Sequence, residues 1–288
     1  MKALIFGGAG QVGRALQQHA PDKIQLQVMT RTTCDLTDLQ AINSAVQQAK
    51  PDLVINAAAF TAVDKAETEA AVAHAVNALA VGQIAEAADK VGARFIHIST
   101  DFVFDGRSSR PYRPNDAPAP LSVYGQTKCE GERAVADVAS NSLIVRTSWV
   151  YASEGSNFVR TMLQLMHQRD EISVVADQIG TPTYNISLAK AIWSLAETGL
   201  KGICHFTDAG TASWYDFAVA IEEDASACGL LYRPVVVNPI STEKYPTAAK
   251  RPSYSVLDKT VAWEALGAPA PHWRVNLRAA LEELKNYG

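Results

Sequence analysis

The chain has 288 residues, and 48% of them are hydrophobic, enough to bury a sizeable core in one large α/β unit with an appendage. Its 26 basic and 30 acidic residues leave a net charge of −4, with no Lys/Arg-rich run, which argues against a nucleic-acid or membrane-surface binder. The cysteines Cys34, Cys129, Cys204 and Cys228 and the six histidines are scattered without C-x-x-C or H-E-x-x-H spacing, so neither a disulfide scaffold nor a catalytic zinc is expected.

In chain order, Ala3 to Phe6 is a short apolar strand that runs into Gly7 and Gly8. It is too short for a signal-peptide core, and no apolar run is long enough to span a membrane, so the cytoplasm is the expected compartment. A helix follows from Gln11 to His19. Gln25 to Met29 alternates like a second strand, Leu39 to Ala49 has helical spacing, and Leu53 to Ile55 is a buried-looking strand ending at Asn56. Ala70 to Val91 is alanine-rich and predicts one long helix. Arg94 to Ser99 is a fourth strand. Prolines at 111, 114, 118 and 120 mark a loop into a helix carrying Tyr124, and Leu143 to Arg146 is a fifth strand. Beyond Ser148 the pattern is less regular. Strands are expected at 172–175, 202–206 and 235–237, and helices at 157–168, 185–198 and 214–228.

Alternating strands and helices with continuous apolar strands predict an α/β, doubly wound parallel sheet of Rossmann-like type, with a smaller C-terminal substrate lobe. The division expected is a dinucleotide-binding domain over 1–147 and a mainly substrate-binding lobe over 148–288, with some segments returning to the core. Ligands should lie at the carboxyl ends of the strands, where the glycines, Asn56 and Thr100 all fall.

Gly7, Gly10 and Gly13 form G-x-x-G-x-x-G between a strand and a helix. Glycines there let backbone approach a pyrophosphate at a helix N-terminus. At the end of the second strand Arg31 stands where an acidic residue would bond the ribose hydroxyl of NAD, and a guanidinium suits the 2′-phosphate of NADP instead. NADPH is therefore favoured, with NADH possible. Asp35 is placed for the adenine side. Asn77, inside the long helix, reads equally as a structural residue or as part of a relay.

Tyr124 and Lys128 stand four residues apart, about one helical turn, and so share a face. An ammonium roughly 4 Å from a phenol, at an effective dielectric of about 20, favours the phenolate by about 4 kcal/mol. That would lower a pKa of about 10 by roughly three units. Thr100 would supply a second hydrogen bond to a carbonyl oxygen.

The glycine motif, Asn56-Ala57-Ala58, Thr100 and Tyr124-x-x-x-Lys128, in this order, resemble the extended short-chain dehydrogenase/reductase superfamily. The segments 56–67, 99–106, 146–151 and 177–183, with Arg251-Pro252-x-x-Ser255-x-Leu257-Asp258, are similar to the dTDP-4-dehydrorhamnose reductase family over essentially the whole chain. The resemblance implies that Tyr124 is the proton donor, that Lys128 is its partner and a ligand of the nicotinamide ribose, and that Thr100 bonds the substrate carbonyl. It implies that Asp101, Val63 and Trp149 contact the sugar nucleotide. Gly7, Gly10, Gln11, Val12, Gly13, Arg31, Asp35, Leu36, Ala58, Ala59 and Phe60 would line the cofactor.

The implied reaction is reduction of the C4 ketone of dTDP-4-dehydro-β-L-rhamnose to dTDP-β-L-rhamnose, a polysaccharide precursor. Alternatives are a reductase of another dTDP-4-keto-6-deoxy sugar, an epimerase or dehydratase with bound NAD⁺, and a non-catalytic regulatory subunit of the same fold. Some members of the family dimerise through a magnesium ion held by glutamates, one of them from the first helix. Here that position is Ala15, so no metal is expected, and the state expected is a monomer or a homodimer not bridged by metal.

Overall fold

Strand β1 (Lys2–Phe6) leads to α1 (Gln11–Gln18), β2 (Gln25–Met29), α2 (Leu39–Ala49) and β3 (Leu53–Asn56) in the computed structural model, which describes residues 1–287. Helices α3 (Val63–Ala66) and α4 (Ala70–His74) pass through a π-helical turn, Ala75–Leu79, into α5 (Ala80–Lys90). Then come β4 (Arg94–Thr100), a 3-10 turn (Asp101–Val103), α6 (Val123–Val138) and β5 (Ser142–Thr147). The second half runs β6 (Val150–Tyr151), α7 (Phe158–Gln168), β7 (Glu171–Val175), β8 (Ile179–Gly180), β9 (Thr183–Tyr184) and α8 (Asn185–Glu197). It continues with β10 (Gly202–His205), β11 (Ala212–Ser213), α9 (Trp214–Cys228), β12 (Val236–Ile240), α10 (Thr260–Leu266) and α11 (Trp273–Tyr287).

The central sheet has the order β10-β5-β4-β3-β1-β2, parallel throughout. Every residue of β3 and β5 is buried, which is why Leu53–Ile55 and Leu143–Val145 read as apolar runs. The strand order reverses at β1, so the carboxyl ends of β1 and β3 open a crevice where a ligand can lie. The edge strand β10 comes from the second half, and so does α8, which lies against α1 on one face. There Leu188, Ile192 and Trp193 share a core with Leu16, Ile55 and Val145. Trp193 Nε1 closes the contact by donating to the Leu16 carbonyl at 3.0 Å.

The helix expected over 70–91 is present but not uniform. Its π-helical turn puts Asn77 fully inside, where Oδ1 accepts from Phe60 N–H at 2.8 Å and Nδ2 donates to Phe60 O at 3.1 Å. Nδ2 also donates to Thr127 Oγ1 at 3.2 Å. A widened turn aims a side chain that a regular helix would aim elsewhere. Asn77 thereby fastens the loop after β3 to α6. Helix α6 approaches so closely that a Cβ on Gly131 would sit 2.1 Å from Asn77 O.

Candidate active site

The elements converge on a cleft of about 990 Å³ at the carboxyl ends of the sheet. At its floor Gly7 has φ +83, and a Cβ there would lie 2.5 Å from Ala58 N. Gly10 N–H donates to Gly7 O at 3.0 Å, closing the turn into α1. No side chain caps that helix start, so its first amides and the positive end of its dipole face the cleft. An anionic pyrophosphate fits this cradle, in which a Cβ would collide.

Gly7, Gly10, Gln11 and Val12 line the cleft, as do Arg31, Asp35 and Leu36 beyond β2. So do Ala58, Ala59, Phe60 and Val63 after β3. Gly13 does not face it. Gly13 lies beneath Gly7, where a Cβ would be 2.1 Å from Gly7 O, so it shapes the turn instead of touching a ligand. Arg31 is exposed at the rim, with a guanidinium available to a phosphate. The Asp35 carboxyl is held below the usual range, first by the Thr37 N–H and hydroxyl that bond it.

Thr100, Asp101, Tyr124, Lys128 and Trp149 meet at the inner end. Thr100 ends β4 and caps the 3-10 turn, accepting from Phe102 N–H at 3.1 Å. Ser122 caps α6 by accepting from Gly125 N–H at 3.2 Å, which sets Tyr124 in the first turn and Lys128 in the second. The buried pair Arg146–Glu132 anchors the same helix to β5, with contacts of 2.8 and 2.6 Å. Ser99 adds a hydroxyl to Glu132 at 2.5 Å.

The electrostatics differ from the sequence expectation. Burial pushes the Tyr124 phenol up to about 12, the Thr100 hydroxyl pulls it down, and the Asp101 charge raises it further. Lys128 does not offset that burial. The lysine Nζ donates to Ile98 O at 2.7 Å and lies 3.2 Å from His97 Nε2. Burial lowers Lys128 to about 8, with Glu132 opposing. The expected shift counted the Coulomb attraction and omitted the cost of desolvating a phenolate. Asp101 is raised to about 6 by burial, against bonds from the Ser255 and Thr100 hydroxyls, and its Oδ2 has no hydrogen-bond partner among the described residues.

Trp214 carries no local sequence signal, and the family-like segments that contain Gly180 and Arg251 do not say what those two residues would touch. Trp214 starts α9 and stacks on Trp149 at 3.6 Å between ring centroids and 8° between planes. Gly180 forms the other side of that slot, since a Cβ there would lie 2.6 Å from Trp149 Cε2. Trp149 has φ +46, a costly conformation for a bulky residue, sustained by this sandwich. Arg251 reaches the cleft from the far end of the chain, paired with Asp64 at 2.7 Å. Neither Trp214 nor Gly180 stands in the sequence at a spacing that ties it to Trp149.

Residues 1–286 match the family model described as RmlD substrate binding domain. The dTDP-4-dehydrorhamnose reductase of Aggregatibacter actinomycetemcomitans is 42% identical, over 98% of this chain and 99% of that protein. A crystal structure of a dTDP-4-dehydrorhamnose reductase from Clostridium acetobutylicum superposes with a TM-score of 0.93 at 39% identity, covering 99% of this chain and 100% of the other. The dTDP-4-dehydrorhamnose reductase of Bacillus anthracis, solved in complex with NADP, gives a TM-score of 0.92 at 37% identity over 98% and 99% of the two chains.

Proposed function

The chain belongs to the RmlD family of dTDP-4-dehydrorhamnose reductases, and from that premise we propose how its own residues divide the reaction. The activity is NAD(P)H-dependent reduction of the C4 ketone of dTDP-4-dehydro-β-L-rhamnose to dTDP-β-L-rhamnose. Residues 1–147 hold the cofactor, and 148–288 supply most of the sugar-nucleotide site. The observation that carries this reading is Thr100, Asp101, Tyr124 and Lys128 in one cleft with the glycine cradle.

The bare helix start of α1 receives the pyrophosphate, and Arg31 the 2′-phosphate that distinguishes NADPH from NADH. Ala58, Ala59 and Phe60 bound the riboses. Bound in this way, NADPH supplies a hydride to C4. The Thr100 hydroxyl holds the ketone oxygen, and Tyr124 gives it a proton as negative charge develops. A phenol held near 12 stays protonated at neutral pH, and an alkoxide is basic enough to take its proton. Asp101, Val63 and the Trp149 slot position the sugar nucleotide.

Ala15 is fully buried beneath α8, so no ligand issues from that position of α1. Among the described residues no group of three or more His, Cys, Asp or Glu side chains is placed to hold a metal. We take the protein as a monomer or a homodimer not bridged by metal, and light scattering should give the same mass with and without a chelator. No helix among the described residues is long and apolar enough to cross a membrane. With the acidic balance, this supports a cytoplasmic enzyme that binds neither membrane nor nucleic acid.

The decisive assay couples the protein to enzymatically made dTDP-4-dehydro-β-L-rhamnose and follows loss of the reduced-nicotinamide band with each cofactor. NMR of the product should show the rhamno configuration. Absence of turnover with this sugar, alongside turnover of another dTDP-4-keto-6-deoxy sugar, would overturn the assignment.

A further inference from the structure

Among the buried titratable side chains that the proposed chemistry leaves unused, one lies against the Lys128 side chain. His97 is fully buried on β4 and lies 3.2 Å from Lys128 Nζ through Nε2. Its other ring nitrogen, Nδ1, lies 3.2 Å from Asn56 Nδ2. The Asn56 amide is oriented by a third contact, because its Oδ1 accepts from Ala58 N–H at 3.0 Å. Nδ2, a donor, must therefore face the imidazole.

Counting protons along this line fixes the tautomer. A neutral imidazole has one N–H and one lone pair. Asn56 takes the lone pair at Nδ1, so the hydrogen sits on Nε2 and points at Lys128. A second proton on the ring is opposed by burial first and by the Lys128 charge second. An ammonium has no lone pair to accept the Nε2–H, whereas an amine has one. The amine can also still donate to Ile98 O, 2.7 Å away.

The other charges near Lys128 do not reverse this balance. Glu132, one turn further along α6, favours the ammonium, but both its oxygens are engaged by Arg146 from β5. Tyr124, one turn back, stays neutral. Among the described residues, Lys128 is the charge that bears on His97.

We propose that His97, set in its Nε2–H tautomer by Asn56, is a positioning residue that lowers the proton affinity of Lys128 and so makes cofactor binding depend on proton uptake by that lysine. This rests on the placement of Lys128 in the cofactor site. A polyanionic dinucleotide favours the ammonium, so NADPH affinity should fall as pH rises through the lysine's free-enzyme pKa, up to about tenfold per unit for one linked proton. Burial already brings Lys128 to about 8, which puts that fall within an accessible range.

Two measurements test it. Long-range ¹H–¹⁵N spectra of histidine-labelled free protein, with His97→Gln used for assignment, should show His97 as the Nε2–H tautomer. In Asn56→Asp the new carboxylate accepts from Nδ1–H, so the same resonance should switch to the other tautomer. NADPH titrations from pH 6.5 to 10 form the second test. His97→Gln offers a carbonyl oxygen to the ammonium, so its affinity break should move up by about one unit, a tenfold change in the ionisation constant. An Nδ1–H or doubly protonated His97 in the wild type, or superposable pH profiles for wild type and His97→Gln, would overturn the proposal. Failure of the wild type to bind NADPH at any pH would strike the functional reading instead and leave the tautomer result standing.

Discussion

At the scale of single residues, the reacting group is set by burial more than by its charged neighbour. Four-residue spacing places Tyr124 and Lys128 on one cleft, but the lysine's bonds run to Ile98 O and towards His97. The phenol stays a weak acid, which suits a group that must hold its proton until the ketone oxygen becomes negative. Tyr124→Phe should therefore lower kcat by about 10²–10⁴-fold while leaving NADPH binding largely intact, as followed by cofactor fluorescence. Thr100→Val removes the hydroxyl at the ketone oxygen, and its kcat should fall by about 10²-fold. Turnover near the wild-type rate in Tyr124→Phe would remove the tyrosine from its role. The spacing, the motif order and the strand ends were readable in the chain. Desolvation was not, because it depends on what covers the side chain.

At the scale of elements, the cleft depends on two tight junctions. One is the turn from β1 into α1. Gly13→Ala would press a methyl against Gly7 O, which lies 2.1 Å from the ideal Cβ position. The turn would open and the first amides of α1 would lose their aim. NADPH affinity should drop sharply and the melting temperature should fall by a few degrees, about 1–3 kcal/mol of overpacking, both read by calorimetry. The other junction holds α6 to the sheet. Arg146 is 1% exposed and Glu132 4%, so truncating Glu132 to Ala strands a buried guanidinium. A loss of about 3–5 kcal/mol in stability is expected from urea denaturation. Glu132→Gln, which keeps hydrogen bonding, should lose less. The π-helical turn at Ala75–Leu79 is a third element-scale device. Its alanine-rich sequence reads as plain helix, since the insertion is rewarded only by Asn77 reaching Phe60 and Thr127.

At the scale of the whole molecule, the two halves of the chain are not separable bodies. Strand β10 completes the sheet beside β5, and α8 buries one face of α1. A fragment ending at residue 147 would expose the hydrogen-bonding edge of β5 and the apolar surface around Leu16. It should aggregate or fail to fold, as judged by gel filtration and circular dichroism. Stability against acid is also a property of the whole. His97 and His205 are held below their ordinary value by burial, the latter at about 3. The folded state therefore binds fewer protons there than the unfolded chain, and each histidine loses stability as pH falls below about 6.5. Asp101 and Asp208 are raised to about 6, so they bind more protons when folded and gain stability between about 6 and 4. These contributions offset one another down to about pH 4, below which only the histidines and the carboxyls held low by partners still respond. Melting temperature should change little from pH 6 to 4.5 and fall steeply below about 4. A steep fall already between 6.5 and 5 would contradict this balance.

The sequence by itself determined the alternation of strands and helices, the glycine cradle, and the order of Asn56, Thr100, Tyr124 and Lys128, because each is a local pattern of backbone freedom, periodicity or spacing. It carried Arg31 to the end of β2 for the same reason. Tertiary structure alone decided which distant residues complete the site. Trp214 and Gly180 clamp Trp149, Arg251 pairs with Asp64, and Asn56, His97 and Lys128 form one line through three elements. It also decided the proton affinities of Tyr124, Asp101 and Lys128. Those depend on burial and on partners brought in from elsewhere in the fold, and no local spacing encodes either.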